Sequence, residues 1–182
     1  MRLLQHFADR RRLRPKIEAS RPRLFRLAWS WCHDPQLADD LVQVTLLRAL
    51  QGLDKLRDPE RLEVWLTQIL VNQHQDTLRR RRNDTTYEEG LFPAVGSPDQ
   101  DLQRTDLIAR VRTAVRQLGD EQRKVLTLVD LMEFSYVEVA QALDIPIGTV
   151  MSRLCRARRN LKRRIEQQSL EPIDGTRLRR VK

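Results

Sequence analysis

Residues 135–164 read SYVEVAQALDIPIGTVMSRLCRARRNLKRR, and the break near the middle decides what they fold into. Ser135 followed three residues later by Glu138 is a capping box, in which each side chain satisfies a backbone amide of the other, so a helix is predicted to start there. Pro146 and Gly148 interrupt the periodicity. Asp144 falls where a left-handed turn conformation is wanted, and Asp tolerates that conformation better than most residues with a side chain. Ala140 is small where two helices must cross closely. A short helix, a tight turn and a longer helix make a helix-turn-helix. The second helix carries a buried stripe at Val150, Leu154, Ala157 and Leu161. Ser152, Cys155, Arg156, Arg159 and Arg163 therefore point the opposite way, with Thr149 and Arg153 towards the edges. A charged helix face is commonly just solvated. Behind this cap and turn, however, a face of Ser and Arg fits a major groove, where Arg can bond guanine in pairs or grip phosphate.

The charge of the whole chain points the same way. Thirty-four Lys and Arg against 25 Asp and Glu leave +9 over 182 residues. Residues 1–26 hold +7, Arg79–Arg82 hold +4, and Arg153–Arg164 hold +7 without an acid, so everything else sums to −9. Cationic blocks in an acidic scaffold imply a polyanion met at defined places. An apolar content of 40% is enough for a globular core. No apolar run approaches the ~20 residues that cross a bilayer, and the N-terminal MRLLQHFADRRRLRP has charge where a signal peptide has its apolar stretch. A cytoplasmic protein with no membrane insertion of its own is expected. Cys32 and Cys155 lie far apart, without a CxxC and with only three His in the chain, which predicts neither a disulfide framework nor a structural metal.

The segment 83–101, NDTTYEEGLFPAVGSPDQD, holds four of the 14 Gly and Pro, the signature of a linker. On both sides the apolar residues recur at helical spacing, which predicts two all-helical domains, roughly 16–84 and 101–168. Leu24, Leu27, Ala28 and Trp31 form one buried stripe. Asp34 and Pro35 suit an N-cap and a first helical position. In the next helix, Leu37 to Leu53, the residues Leu37, Leu41 and Val44 are placed towards the core. Asp39, Gln43, Leu46 and Leu50 lie nearly opposite, either facing a partner or covered by a neighbouring helix. A third helix, Glu60 to Arg82, has Leu62, Trp65, Leu66 and Ile69 as its buried face. Asn72, Gln75, Asp76 and Arg79 project from another side into the run of arginines. Such amides and guanidinium groups either contact nucleic acid or simply complement the helix macrodipole.

Taken in this order, the segments resemble a small bacterial RNA polymerase sigma factor of the extracytoplasmic-function (ECF) group over roughly residues 20–165. LFRLAWSWCHDPQLADDLVQVTLLRAL, with its D-L-V-Q at Asp40–Gln43, is similar to the first conserved region. WLTQILVNQHQDTLRRRR keeps the Asn-then-Asp spacing of the promoter-melting helix at Asn72 and Asp76. LGDEQRKVLTLVDLMEFSYVEVAQALDIPIGTVMSRLCRARRNL is similar to the second domain. The resemblance implies an all-α fold of two small helical domains joined by a flexible linker. Its parts are a basic extension (1–19), region 2 (20–84), the linker (85–103), a helix-turn-helix region 4 (104–168) and a tail (169–182). It implies binding of core RNA polymerase through Asp39, Asp40, Gln43, Leu46 and Leu50. The −10 element would be met by Arg57, Arg61, Asn72, Gln75, Asp76, Arg79 and Arg80, and the −35 duplex by Thr149, Ser152, Arg153, Cys155, Arg156 and Arg159. It further implies an anti-sigma factor as a partner, and no cofactor or metal. The chain departs from the family at Val44, where an acidic residue is usual. Met151 and Cys155 replace a basic residue and a frequent His, and Gly119 replaces a frequent Pro.

Two other classes fit parts of the sequence. An ordinary helix-turn-helix activator or repressor accounts for residues 135–164 but leaves the D-L-V-Q stripe and the Asn72–Arg82 block without a role. An enzyme would need a convergent acid–base pair, a metal-ligand cluster or a phosphate-cradling Gly loop. The sequence offers none, and His33, His74 and Cys32 have no partners at catalytic spacing.

Overall fold

Caps and prolines set where the helices begin. The computed structural model describes residues 12–56, 58–83 and 102–170, and there is no strand among the described residues. Residues 12–19 form α1, followed by α2 (Arg21–Cys32), α3 (Pro35–Gln51), α4 (Leu62–Asn83), α5 (Leu102–Arg116), α6 (Asp120–Asp130), α7 (Tyr136–Leu143) and α8 (Ile147–Leu170). Asp34 accepts from the amides of Gln36 (2.9 Å) and Leu37 (3.1 Å), so α3 starts at Pro35, two residues before the periodic pattern does. The third long helix starts at Leu62 rather than Glu60, because Pro59–Arg61 forms a single 3-10 turn capped by Asp58. The stretch 12–19, placed with the basic extension on charge alone, is helical and seats Leu13 and Ile17 in the core.

The α2 stripe Leu24, Leu27, Ala28 and Trp31 is buried as the periodicity predicts. In α3 the inward face is Ala38, Leu41, Val42, Thr45 and Ala49. That face is rotated from the expected one: Val44, expected in the core, is 39% exposed, while Leu46 and Leu50 are half-buried against the core. The physical reason is side-chain size. Ala38, Thr45 and Ala49 let α3 lie close against α2 and α4, and the bulkier leucines flank that contact. In α4, Leu62 and Leu66 are buried, Trp65 and Ile69 half-buried, and Val64, Leu70, Val71 and His74 complete the inner side.

The two helical halves dock on each other, α2 against α6 and α4 against α7, and one apolar cluster runs through both. Trp31 is the pin. Its indole Nε1 donates to Thr127 Oγ1 at 2.8 Å, and the Arg123 guanidinium donates to the Trp31 carbonyl at 2.7 Å. Arg123 also donates to the carbonyls of Arg116 (3.0 Å) and Leu118 (2.8 Å), so one side chain closes the ends of both α2 and α5. Arg23, ion-paired with Glu63, donates to the Met132 carbonyl at 2.6 Å. The His74 ring lies 5.5 Å from Trp31, and the Lys124 ammonium stands 5.9 Å from the same indole.

Candidate polymerase and promoter interfaces

The helix-turn-helix is built as its sequence predicts. The Glu138 carboxylate accepts from the Ser135 amide (2.8 Å) and hydroxyl (2.7 Å), and Ser135 Oγ accepts from the Glu138 amide (3.3 Å). The hydroxyl and then the amide of Ser135 hold the Glu138 carboxyl below its usual pKa, because both bonds favour the charged form. Asp144 takes the left-handed conformation (φ 53, ψ 52) that turns the chain into α8. Val139, Ala142 and Leu143 seat α7, while Val150, Leu154 and Ala157 seat α8 with Leu161 half-buried beyond them.

Of the seven α8 cations, three bond outside the helix and four, Arg156, Arg159, Lys162 and Arg163, bond only within it. Arg153 turns towards α6, where it pairs with Glu121 at 2.8 Å and is only 23% exposed. Arg158 pairs with Asp130 at 2.6 Å, and Arg164 donates to Gln117 Oε1 at 2.7 Å. These three stitch the helix to its own domain. On the opposite side Arg156 folds back onto Ser152 (3.2 Å to the carbonyl, 3.3 Å to Oγ), and Arg159 reaches Cys155 Sγ at 3.9 Å. Both contacts stay within α8. Ser152, Cys155, Arg156 and Arg159 thus form one exposed face, with Thr149 half-buried at its edge.

On α4, Asn72, Arg79 and Arg80 are exposed and Gln75 and Asp76 half-buried, with a 3.8 Å ion pair between Arg79 and Asp76. Arg61, on the 3-10 turn, donates to Gln141 Oε1 at 3.1 Å and pairs with Asp58 at 3.5 Å, so the turn before α4 touches α7. Arg57 lies outside the described residues. A cleft of about 640 Å³ separates Gln75 and Arg79 from Glu121, Lys124 and Arg153. On α3, Asp40 and Gln43 are exposed, and Asp39 accepts from Arg21 and Gln43, each at 2.7 Å. The apolar part of this surface is Val44 and Leu47, the latter 56% exposed, rather than Leu46 and Leu50. Leu47 went unnoticed in the sequence, although Val44 and Leu47 stand at i, i+3 spacing beside Asp40 and Gln43.

His74, His33 and Cys32 are partly or wholly buried. His74 is 2% exposed, its Nδ1 has no hydrogen-bond partner, and burial assisted by Lys124 pushes its pKa down to about 4. His33 caps α2 at φ 56 and is likewise lowered to about 4, by burial and then by Arg123 and Arg116. Burial raises the Cys32 thiol, and neither cysteine is paired. Among the described residues no cluster of His, Cys, Asp and Glu could hold a metal ion, and no helix is long and apolar enough to cross a membrane.

A capped helix-turn-helix with an arginine face, docked on a helical unit whose longest helix ends in arginines, defines a two-part DNA-binding transcription protein. Residues 17–83 match the family model for Sigma-70 region 2, and residues 108–161 match that for Sigma-70, region 4. The chain is 37% identical over 150 residues to the ECF RNA polymerase sigma factor EcfG of Rhodopseudomonas palustris, covering 82% of each protein. It is 30% identical to the RNA polymerase sigma-H factor of Pseudomonas aeruginosa, over 74% of this chain and 76% of that one. The sigma factor RpoE of Bartonella quintana, solved in complex with the anti-sigma factor NepR, superposes with a TM-score of 0.68 at 29% identity, over 84% of this chain and 95% of that one. CnrH, solved with the cytosolic domain of CnrY, shares the fold (TM-score 0.63, 24% identity, 86% and 90% coverage). The chain belongs to the ECF sigma factors of RNA polymerase.

Proposed function

We propose that this sigma factor binds core RNA polymerase through the exposed strip Asp40, Gln43, Val44 and Leu47 of α3, with Asp39 at its edge. The α8 face Ser152, Cys155, Arg156 and Arg159 then holds the −35 duplex, while Arg61, Asn72, Gln75, Asp76, Arg79 and Arg80 meet the opened −10 strand, as Arg57 would if it follows the family. The observation that carries this assignment is the division of the α8 cations: Arg153, Arg158 and Arg164 are committed to α6 and to the turn after α5, whereas Arg156, Arg159, Lys162 and Arg163 bond only within their own helix.

Distance adds a requirement. The two promoter elements lie about 25 base pairs apart, or about 85 Å along the duplex, whereas a compact chain of this length has a radius of gyration near 16 Å. The docked halves therefore cannot occupy both elements at once, and they part when the promoter is bound. The residues 84–101 between them reach about 60 Å when extended. Control by an anti-sigma factor is supported by the Bartonella relative, which was solved with one.

Run-off transcription with purified core polymerase tests the function. Promoter-specific initiation with this protein alone is the expected result. Operator binding without affinity for core polymerase would point instead to a conventional helix-turn-helix regulator. Arg156→Ala is expected to weaken −35 binding by about 1–3 kcal/mol at one base position if Arg156 reads a base, and evenly across sequences if it holds phosphate.

A further inference from the structure

The α8 face contains a side chain that neither the fold nor the charge pattern accounts for. Met151 is 51% exposed and Ile147, one turn earlier, is 44% exposed, whereas Val150 and Leu154 of the same helix are at most 3% exposed. Met151 stands on the arc that continues through Cys155 and Ser152 to Arg156 and Arg159, and all five are exposed. The neighbouring guanidinium groups bond only within α8, so the partner that covers this face is an anion. Duplex DNA fits that charge, and the first turns of a recognition helix are the part that reaches base edges. The major groove displays one apolar group, the C5-methyl of thymine. A flexible, polarisable thioether follows such a small apolar target better than a branched side chain would.

Building on the sigma-factor assignment, we infer that Met151 determines specificity in the −35 element by packing on a thymine C5-methyl, with the Cys155 side chain one turn further along the same wall. A lysine or arginine at this position would hold phosphate or guanine instead. Met151 thus changes which base is preferred and adds no general affinity.

The test uses holoenzyme reconstituted from core polymerase and the full chain, on a promoter defined by start-site mapping. Each −35 thymine is replaced in turn by uracil, which deletes only the methyl group. One replacement is expected to lower promoter affinity about fourfold, the effect of exposing one buried methyl. With Met151→Ala holoenzyme the same replacement should be silent, and with Met151→Leu it should regain most of its effect. The inference is overturned if no uracil weakens the wild-type complex, if the uracil effect persists undiminished in Met151→Ala, or if the −35 element contains no thymine on either strand. Failure of the underlying assignment is distinguishable, because it shows as no initiation from the unmodified promoter.

Discussion

Replacing His74 by Gln should flatten the acid side of the stability profile of this protein. His74 is enclosed at the junction of α4 with α2 and α6, beside Trp31, and the Lys124–Asp120 pair (2.8 Å) lies nearby. Desolvation is the main reason its pKa falls to about 4, and the Lys124 ammonium reinforces it while Asp120 opposes. An unfolded chain binds a proton at this residue near pH 6.5, and the folded chain does not until about pH 4. Stability is thus complete above pH 6.5 and is lost as the pH falls towards 4. Each pH unit within that window costs about 1.4 kcal/mol, so lowering the pH from 7 to 5 removes about 2 kcal/mol through this one residue. Urea unfolding at both pH values measures it, with an unchanged slope confirming that the unfolding reaction is the same. The quantity to compare is the difference between the two pH values, in wild type and in His74→Gln. His33 and the carboxylates titrate in both proteins and cancel. His74→Leu supplies a second non-titrating variant in case the amide packs badly. Parallel pH dependence in all three proteins would refute the assignment of His74 as the buried neutral imidazole of the junction.

Thr127→Val keeps the shape of α6 but leaves the Trp31 indole N–H without its acceptor; stability should fall by about 1–2 kcal/mol. Because this bond joins the docked halves, which part on the promoter, holoenzyme affinity for a two-element promoter should rise by about 5- to 30-fold in a binding titration as the open form becomes easier to reach. Asp144→Gly relieves a left-handed backbone that a side chain disfavours, and thermal melting should show a gain of about 0.5 kcal/mol. Val44→Ser combined with Leu47→Ser should weaken holoenzyme assembly about tenfold without changing helicity or melting. Leu46→Ala should instead lower stability, because Leu46 packs on the core.

What the sequence disclosed well was local. The capping box, the left-handed Asp144, the Asp34–Pro35 start and the α2 and α8 stripes each depend on residues within one or two turns of each other, and all are found where the pattern puts them. The face of α3 was misjudged because leucines dominate any count of apolar weight, whereas close helix crossing selects for Ala38, Thr45 and Ala49. α1 was obscured by its own arginines, which leave Leu13 and Ile17 as the one buried pair in a strongly basic stretch.

The docking of the two halves had no such signal. Its bonds join residues 80, 92, 96 and 109 positions apart, and two of the four end on backbone carbonyls, which carry no side-chain signature. Arg123 illustrates the difficulty: nothing in the D-E-Q-R segment marks it as a docking residue, yet its guanidinium donates to three carbonyls at the ends of α2 and α5. Arg153 repeats the lesson on α8, where its place in the basic block suggested DNA and its bond to Glu121 draws it to α6. Net charge therefore locates the polyanion-binding surfaces only after the arginines with fixed partners are subtracted. In α8 that subtraction leaves Arg156, Arg159 and Arg163 on one exposed face with the apolar Met151 at its edge, a mixture suited to reading one base's methyl group beside cationic grips on phosphate.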